Sequence, residues 1–322
     1  MEPLKKTLNY NSAVELRSFL EQENLGMLKK YGQNFLINPA VRRSLADALG
    51  AEAGDEVWEI GPGLGAMTSL LLEKELTVKA FEIDAGFSRV LKQLFAGQKN
   101  FNLVEGDVMK TWHLRQENNS LTEASFLLGN LPYNIAAALL ADLIEKGRLF
   151  KRMVVTVQKE VALRMAAAAG SADYSSFSVL CASVYKVKPL MVIRPASFYP
   201  KPNVDSMGVM LEFKNSAADD TGNSPPQFAS DAAIAVRNIP AVFYPMVRSL
   251  FASRRKTIKN NLTGFAASRF GKSLGCGGTS AEKICEKILT ENGLTGRERA
   301  EELSPDVFMS LAKSAERCDH IV

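Results

Sequence analysis

Hydrophobic positions follow two periods along this chain. Short apolar runs recur at Val57–Ile60, Val78–Phe81, Phe101–Val104, Phe126–Leu128 and Met153–Val157, several closing on a polar or acidic residue. Between them, apolar residues such as Met67, Leu70 and Leu71 fall three and four apart, the helical spacing. Strands alternating with helices predict a parallel sheet built from crossover units. A sixth strand near Tyr185–Ile193 and a last one at Val209–Phe213 bring the expected sheet to seven strands. Ahead of the sheet, Val14, Leu16, Phe19, Leu20, Leu25 and Leu28 predict one amphipathic helix. Beyond Ala232 the pattern is helical throughout. One helix is predicted to run from Phe251 to Phe265 with Phe251, Ile258, Leu262 and Phe265 on one face, and two more lie at Ala281–Asn292 and Ser304–Ala315.

These periods divide the chain into a helical extension over 1–30, an α/β domain over 31–214 and a smaller all-α domain over 232–322. Residues 215–231, rich in Asn, Asp, Gly and Pro, read as a linker. Hydrophobic content of 46% and charged content of 23% are those of an ordinary globular protein. No apolar run reaches the roughly 20 residues that span a bilayer, and no signal-peptide core opens the chain. Four scattered cysteines fit a reducing cytoplasm. With two histidines, His113 and His320, neither a metal site nor a histidine-based triad is expected.

The net charge of +4 is modest, but its distribution is lopsided. From Ala232 to Ala281 there is no acidic residue and there are eight basic ones, among them Arg248, Arg254, Arg255, Lys256 and Lys259. Arg248, Arg255 and Lys259 are predicted to form a stripe beside the apolar face. An all-basic stretch of this length is best explained by phosphate contacts.

The first chemical signal is Gly61-Pro62-Gly63-Leu64-Gly65, between a strand and a helix. A glycine turn there lets a ligand approach the backbone, with helix N–H groups facing it. Some twenty residues on, the next strand ends in Glu82, placed to accept from ribose hydroxyls. The glycine spacing departs from the dinucleotide fingerprint, so a nucleoside-containing cofactor other than a nicotinamide is favoured. Asp107 follows the third strand, either as a helix cap or as an acceptor for an adenine amino group. Asn130-Leu131-Pro132-Tyr133 follows the fourth. The Asn130 side-chain oxygen and a backbone carbonyl beside Pro132 offer two acceptors next to an aromatic ring, which suits a planar base with an exocyclic amine.

Taken together, these pieces resemble the bacterial small-subunit (16S) rRNA adenine dimethyltransferase family. The matching segments are Gly32-Gln33-Asn34-Phe35-Leu36, Glu59 to Gly65, Glu82-Ile83-Asp84, Gly106-Asp107, Asn130 to Ile135, Gln158 to Ala162, Phe198 to Ser206 and Arg254-Arg255-Lys256-Thr257. The resemblance implies a Rossmann-like methyltransferase fold, with helices on both faces of a mostly parallel sheet, and S-adenosylmethionine as cofactor. It places Asn34, Leu36, Gly61, Gly63, Glu82, Asp107 and Asn130 on that cofactor. Asn130, Pro132 and Tyr133 would hold the target base, with Phe198 closing on its other face. The implied partner is 16S rRNA within the small ribosomal subunit, gripped by the basic helical domain of a monomer, without membrane or metal. One departure is Tyr174-Ser175-Ser176-Phe177-Ser178, where the family usually has Tyr-Gly-Arg-Leu-Ser.

Three other readings compete. A large-subunit rRNA adenine methyltransferase of the antibiotic-resistance type shares the catalytic motifs, although the Arg-Arg-Lys-Thr segment and long C-terminal half favour the small subunit. A non-catalytic assembly factor has no need of intact cofactor carboxylates. A nicotinamide dehydrogenase has no use for the basic half.

Overall fold

The computed structural model describes residues 8–26, 33–117, 124–214, 228–274 and 279–319. The chain forms two compact units. The first comprises Met1–Leu140, Leu149–Ala162 and Val187–Phe213, and the second Ala141–Arg148, Leu163–Lys186 and Lys214–Val322. The helical unit thus also takes in two stretches from within the α/β half of the sequence.

A two-residue strand, β1 (Phe35–Leu36), comes first. The main sheet then runs through β2 (Glu56–Ile60), β3 (Thr77–Glu82), β4 (Phe101–Glu105), β5 (Phe126–Asn130), β6 (Arg152–Gln158) and β7 (Tyr185–Ile193). A second short strand, β8 (Phe198–Tyr199), and then β9 (Ser206–Phe213) complete the set. The seven-stranded order is β4-β3-β2-β5-β6-β9-β7. β2 through β6 pair in parallel, and β9 joins β6 antiparallel. The strand order reverses at β2, with β3 on one side and β5 on the other. That is the switch point at whose carboxyl edge open α/β sheets bind ligands.

Burial explains why the runs that lack alternation are central strands. In β2, Val57, Trp58, Glu59 and Ile60 are all buried, as expected when both faces are covered. Trp58 lies 4.8 Å from the Phe81 ring and 5.3 Å from Phe150. Truncating such an aromatic costs about 3–5 kcal/mol. Helix Pro39–Ala48 starts where its sequence dictates: Pro39 is the first helical residue, and the Asn38 side chain accepts from the Ala40 and Val41 N–H groups. The helix in the N-terminal extension is shorter than the apolar spacing implied, running from Ala13 to Gln22, with Val14 exposed. Leu28 lies outside the described residues.

The second unit has its own core, built from helices Phe243–Phe251, Ile258–Leu274, Thr279–Glu291 and Pro305–Asp319, with Tyr174 and Val179. The single helix expected from Phe251 to Phe265 is instead two helices broken at residues 252–257. The break is held by hydrogen bonds that compete with the helical ladder. Ile258 and Lys259 donate their N–H groups to the Glu298 and Gly296 carbonyls, and the Asn261 side-chain amide donates to the carbonyls of Leu250 and Ser253.

Candidate active site

A cleft of about 950 Å³ opens at the carboxyl edge of the sheet, around the ends of β2, β3, β4 and β5. Its walls include Asn34, Leu36, Gly61, Gly63, Glu82, Asp107, Asn130 and Pro132. All seven residues expected to touch a cofactor are therefore brought together.

The glycine turn works as its composition requires. Gly61 and Gly63 have φ of +68° and +58°, in the left-handed region. A Cβ on Gly63 would stand 3.0 Å from Cε1 of Phe35, itself a wall of the cleft. The Gly63 N–H donates to Glu82 Oε2 at 3.0 Å, and the Asp84 N–H to Oε1 at 2.8 Å, so both carboxylate oxygens are fixed in place. Asp84, the third residue of the Glu-Ile-Asp motif, caps the helix Ala85–Leu94 through Gly86 and Phe87. Burial pushes the Glu82 carboxyl up to about 7. Glu59 is buried too and is likewise raised to about 7 by burial, against the pull of its 2.7 Å bond from Thr68 Oγ1. Asp107 caps the helix that follows, Oδ1 accepting from the Met109 N–H, and the residue also lines the cleft.

The loop after β5 is more specific. Nδ2 of Asn130 donates to the Asn34 carbonyl at 2.7 Å. Only the amide nitrogen can donate, so this bond fixes which way the side chain faces and leaves Oδ1 as an acceptor. The Pro132 carbonyl is occupied by the N–H groups of Ile135 and Ala136, whereas the Leu131 carbonyl takes no bond from any described residue. Asn130 Oδ1, on a wall of the cleft, and the Leu131 carbonyl are therefore acceptors without a partner among the described residues, although Leu131 itself is 1% exposed and is not a wall of the cleft. Tyr133 is half-buried and outside the cleft lining, with its hydroxyl 2.6 Å from Ser206 Oγ on β9. Burial raises its pKa above the ordinary phenol value.

Phe198 departs from expectation. Its ring is 1% exposed and packs among Leu36, Leu45 and Ile193, so neither face is open to a base. Pairing explains the burial: β8 lies antiparallel to β1, with Phe198 opposite Leu36. Here it supports the cleft wall from behind.

The basic residues belong to the second unit, and all five are exposed. Because the helix breaks at 252–257, Arg248, Arg255 and Lys259 do not form one helical stripe. Arg248 pairs with Glu145, Arg254 with Glu301 at 3.0 Å, and Lys259 with Glu286 at 3.1 Å. Arg255 and Lys256, in the turn itself, have no acidic partner among the described residues.

Residues 26–225 match the ribosomal RNA adenine dimethylase family. A protein of Treponema denticola, called ribosomal RNA small subunit methyltransferase A, is 42% identical over 308 residues, 94% of each chain. Its counterpart from Treponema pallidum is 40% identical over 94% of this chain and 96% of that one. The chain belongs to the ribosomal RNA adenine dimethylase family. Solved structures agree on the fold. A dimethyladenosine transferase from Plasmodium falciparum superposes with a TM-score of 0.66 at 24% identity, covering 85% of this chain and 94% of that one. The 23S rRNA methyltransferase ErmE gives 0.55 at 18%, covering 87% and 98%.

For an rRNA adenine dimethylase, the sequence reading missed the apolar walls of the cleft. Phe35, Ile83, Phe87 and Val108 also line it. Ile83 carried a signal, being a large aliphatic residue just past a strand end, where polar turn residues are usual; it is 41% exposed. The departing segment at Tyr174 is structural here: Tyr174 is buried and its hydroxyl donates to the Leu303 carbonyl at 2.9 Å, and Phe177 is buried. Ser176 begins the helix Ser176–Val184 in place of the family's arginine.

Proposed function

We propose that this rRNA adenine dimethylase binds S-adenosylmethionine in the cleft and methylates the exocyclic amines of two adjacent adenosines near the 3′ end of 16S rRNA in the small ribosomal subunit. The observation that carries the reading is Asn130 on the cleft wall, its Nδ2 spent on the Asn34 carbonyl and its Oδ1 left as an acceptor. The Leu131 carbonyl beside it is also without a partner among the described residues and becomes a second acceptor once a base displaces the cover over it. The residues present fit the cofactor: Glu82 offers remaining lone pairs to ribose hydroxyls, Asp107 an oxygen to an adenine amine, and Ile83 and Val108 apolar surface to its ring. When bound, S-adenosylmethionine supplies a methyl group already activated on a sulfonium.

The protein's task is therefore to position and polarise the target. An adenine amine is a poor nucleophile because its lone pair is delocalised into the ring. In the first transfer, accepting the amine hydrogens at Asn130 and Leu131 draws that lone pair back onto nitrogen and stabilises the positive charge that develops there. The methylated nitrogen then releases one proton to solvent. In the second transfer its single remaining hydrogen is held by one of the two acceptors, and is again lost to solvent afterwards. Reaching the amine requires the base to leave its stack. Tyr133, tethered to Ser206, adds an aromatic group beside the clamp. Arg255 and Lys256 meet phosphates, while Arg248, Arg254 and Lys259 must exchange a carboxylate for one.

The names of the Treponema relatives favour small-subunit over large-subunit RNA as the substrate. The test offers the protein unmethylated small ribosomal subunits or naked 23S rRNA, with labelled S-adenosylmethionine, and reads the RNA by mass spectrometry. Two dimethyladenosines near the 16S 3′ end are expected; methylation confined to 23S rRNA would reverse the assignment.

A further inference from the structure

Arg42 has an unexpected place for a cation on a helix that begins at residue 39. Its side chain is 5% exposed, and no described carboxylate forms an ion pair with it. Burial pushes its pKa below the ordinary guanidinium value. Oxygens from two parts of the chain gather round it instead. Nη1 donates to the Leu36 carbonyl at 2.6 Å and to the Tyr10 carbonyl at 3.3 Å, and Nη2 donates to the Asn11 side chain. A buried charge is costly unless hydrogen-bonded, so the guanidinium holds these three groups together.

Leu36 belongs to β1 and lines the cleft. Two residues earlier, the Asn34 carbonyl receives the Asn130 amide. The strip 34–36 is thus pinned at one end by the clamp asparagine and at the other by Arg42. The N-terminal segment supports the same wall by packing. Leu16, Phe19 and Leu20 share a core with Leu64 and Phe87, against which Phe35 also packs. Phe35 and Phe87 both face the cleft, with ring centroids 5.6 Å apart. The Tyr10 hydroxyl accepts from Ser69 Oγ at 3.5 Å, on the helix that the glycine turn opens.

We propose that the N-terminal segment is a positioning element of the cofactor cleft, coupled to it through Arg42. The segment touches no reacting atom. It sets the strip carrying Asn34 and Leu36 before the cofactor arrives, so that less ordering remains for binding. The inference rests on reading the cleft as the S-adenosylmethionine site.

The experiment measures S-adenosylhomocysteine affinity by calorimetry, KM and kcat for S-adenosylmethionine, and the urea unfolding midpoint. The proteins are the native chain, Arg42→Met, Arg42→Lys, Asn11→Ala and the double variant Arg42→Met/Asn11→Ala. A lost charged hydrogen bond is expected to weaken binding about tenfold in Arg42→Met and about threefold in Asn11→Ala, with KM rising in step and kcat changing less than about threefold. Arg42→Lys recovers part of the loss, and the double variant is no weaker than Arg42→Met, because both residues act in one unit. Affinity unchanged in a folded Arg42→Met, whatever its unfolding midpoint, overturns the inference. Asn11 is exposed, so Asn11→Ala decides the matter should Arg42→Met fail to fold, unaltered affinity overturning it. Should the native protein bind no S-adenosylhomocysteine, the cleft assignment falls and this inference with it. Native binding with unaltered variants removes the inference alone.

Discussion

The side-chain amide of Asn130 reaches across 96 positions of sequence to the backbone carbonyl of Asn34, closing a 2.7 Å hydrogen bond. One residue thereby serves both ends of the cleft. Its nitrogen ties the β5 loop to the strip before β1, and its oxygen is left as an acceptor on a residue that lines the cleft. Asn130→Ala removes both functions and is expected to lower kcat on the order of 10²–10³-fold, the cost of deleting one aimed polar group. Asn130→Asp keeps the shape but sets a carboxylate oxygen against the Asn34 carbonyl, and it is expected to do no better. Filter binding of small-subunit RNA should be unaffected in both. Near-native methyl incorporation by either variant would remove Asn130 from the chemistry.

On the proposed reading of the cleft, the Glu82 carboxyl, raised to about 7 by burial, is expected to make cofactor binding depend on pH. Ribose hydroxyls donating to it favour its ionised form. Affinity for S-adenosylhomocysteine should therefore climb between roughly pH 6 and pH 8, by at most about tenfold per unit. In the free protein the sign is opposite. The folded form retains a proton that the unfolded form releases at its ordinary value of about 4.5, so stability is greatest below that pH. It falls as pH rises toward about 7, then levels. Glu59 contributes to this stability profile in the same sense. Calorimetry across the range should show Glu82→Gln, but not Glu59→Gln, flattening the binding profile, while urea midpoints flatten in both.

Arg255 and Lys256 lack acidic partners among the described residues, whereas Arg254 and Lys259 are already engaged by Glu301 and Glu286. Alanine at either of the first two should weaken RNA binding and reduce the slope of log K against log salt by about one. Arg254→Ala should cost less, because its phosphate contact must first displace Glu301. Glu301→Gln should accordingly tighten binding. Titrations of small-subunit RNA between about 50 and 200 mM salt measure all of these, and unchanged slopes would clear this turn of phosphate contact.

Much of the α/β unit could be read from sequence because its signals are local. A strand that feeds a glycine turn, or ends in an acidic residue, announces its own position, as Gly61, Glu82 and Asp107 did. Other features depend on partners far along the chain. Two-residue strands such as β1 and β8 have no period to detect, so the burial of Phe198 opposite Leu36 was hidden. The break at 252–257 contains no proline or glycine, and it arises from carbonyls at Gly296 and Glu298 that no local pattern reveals. Arg42 gave no local signal of its place, because a cation on a helix is ordinarily exposed. Two of its partners lie some thirty residues upstream, at Tyr10 and Asn11.

The placement of β9 imposes an order on synthesis. It lies between β6 and β7, although β7 leaves the ribosome first. Until β9 emerges, β7 has no neighbour in the sheet and the flank of β6 is a bare row of unpaired amides and carbonyls. A polypeptide halted after Ile193 but before Ser206 would carry two sticky edges instead of one closed join, the kind of surface that recruits other nascent chains.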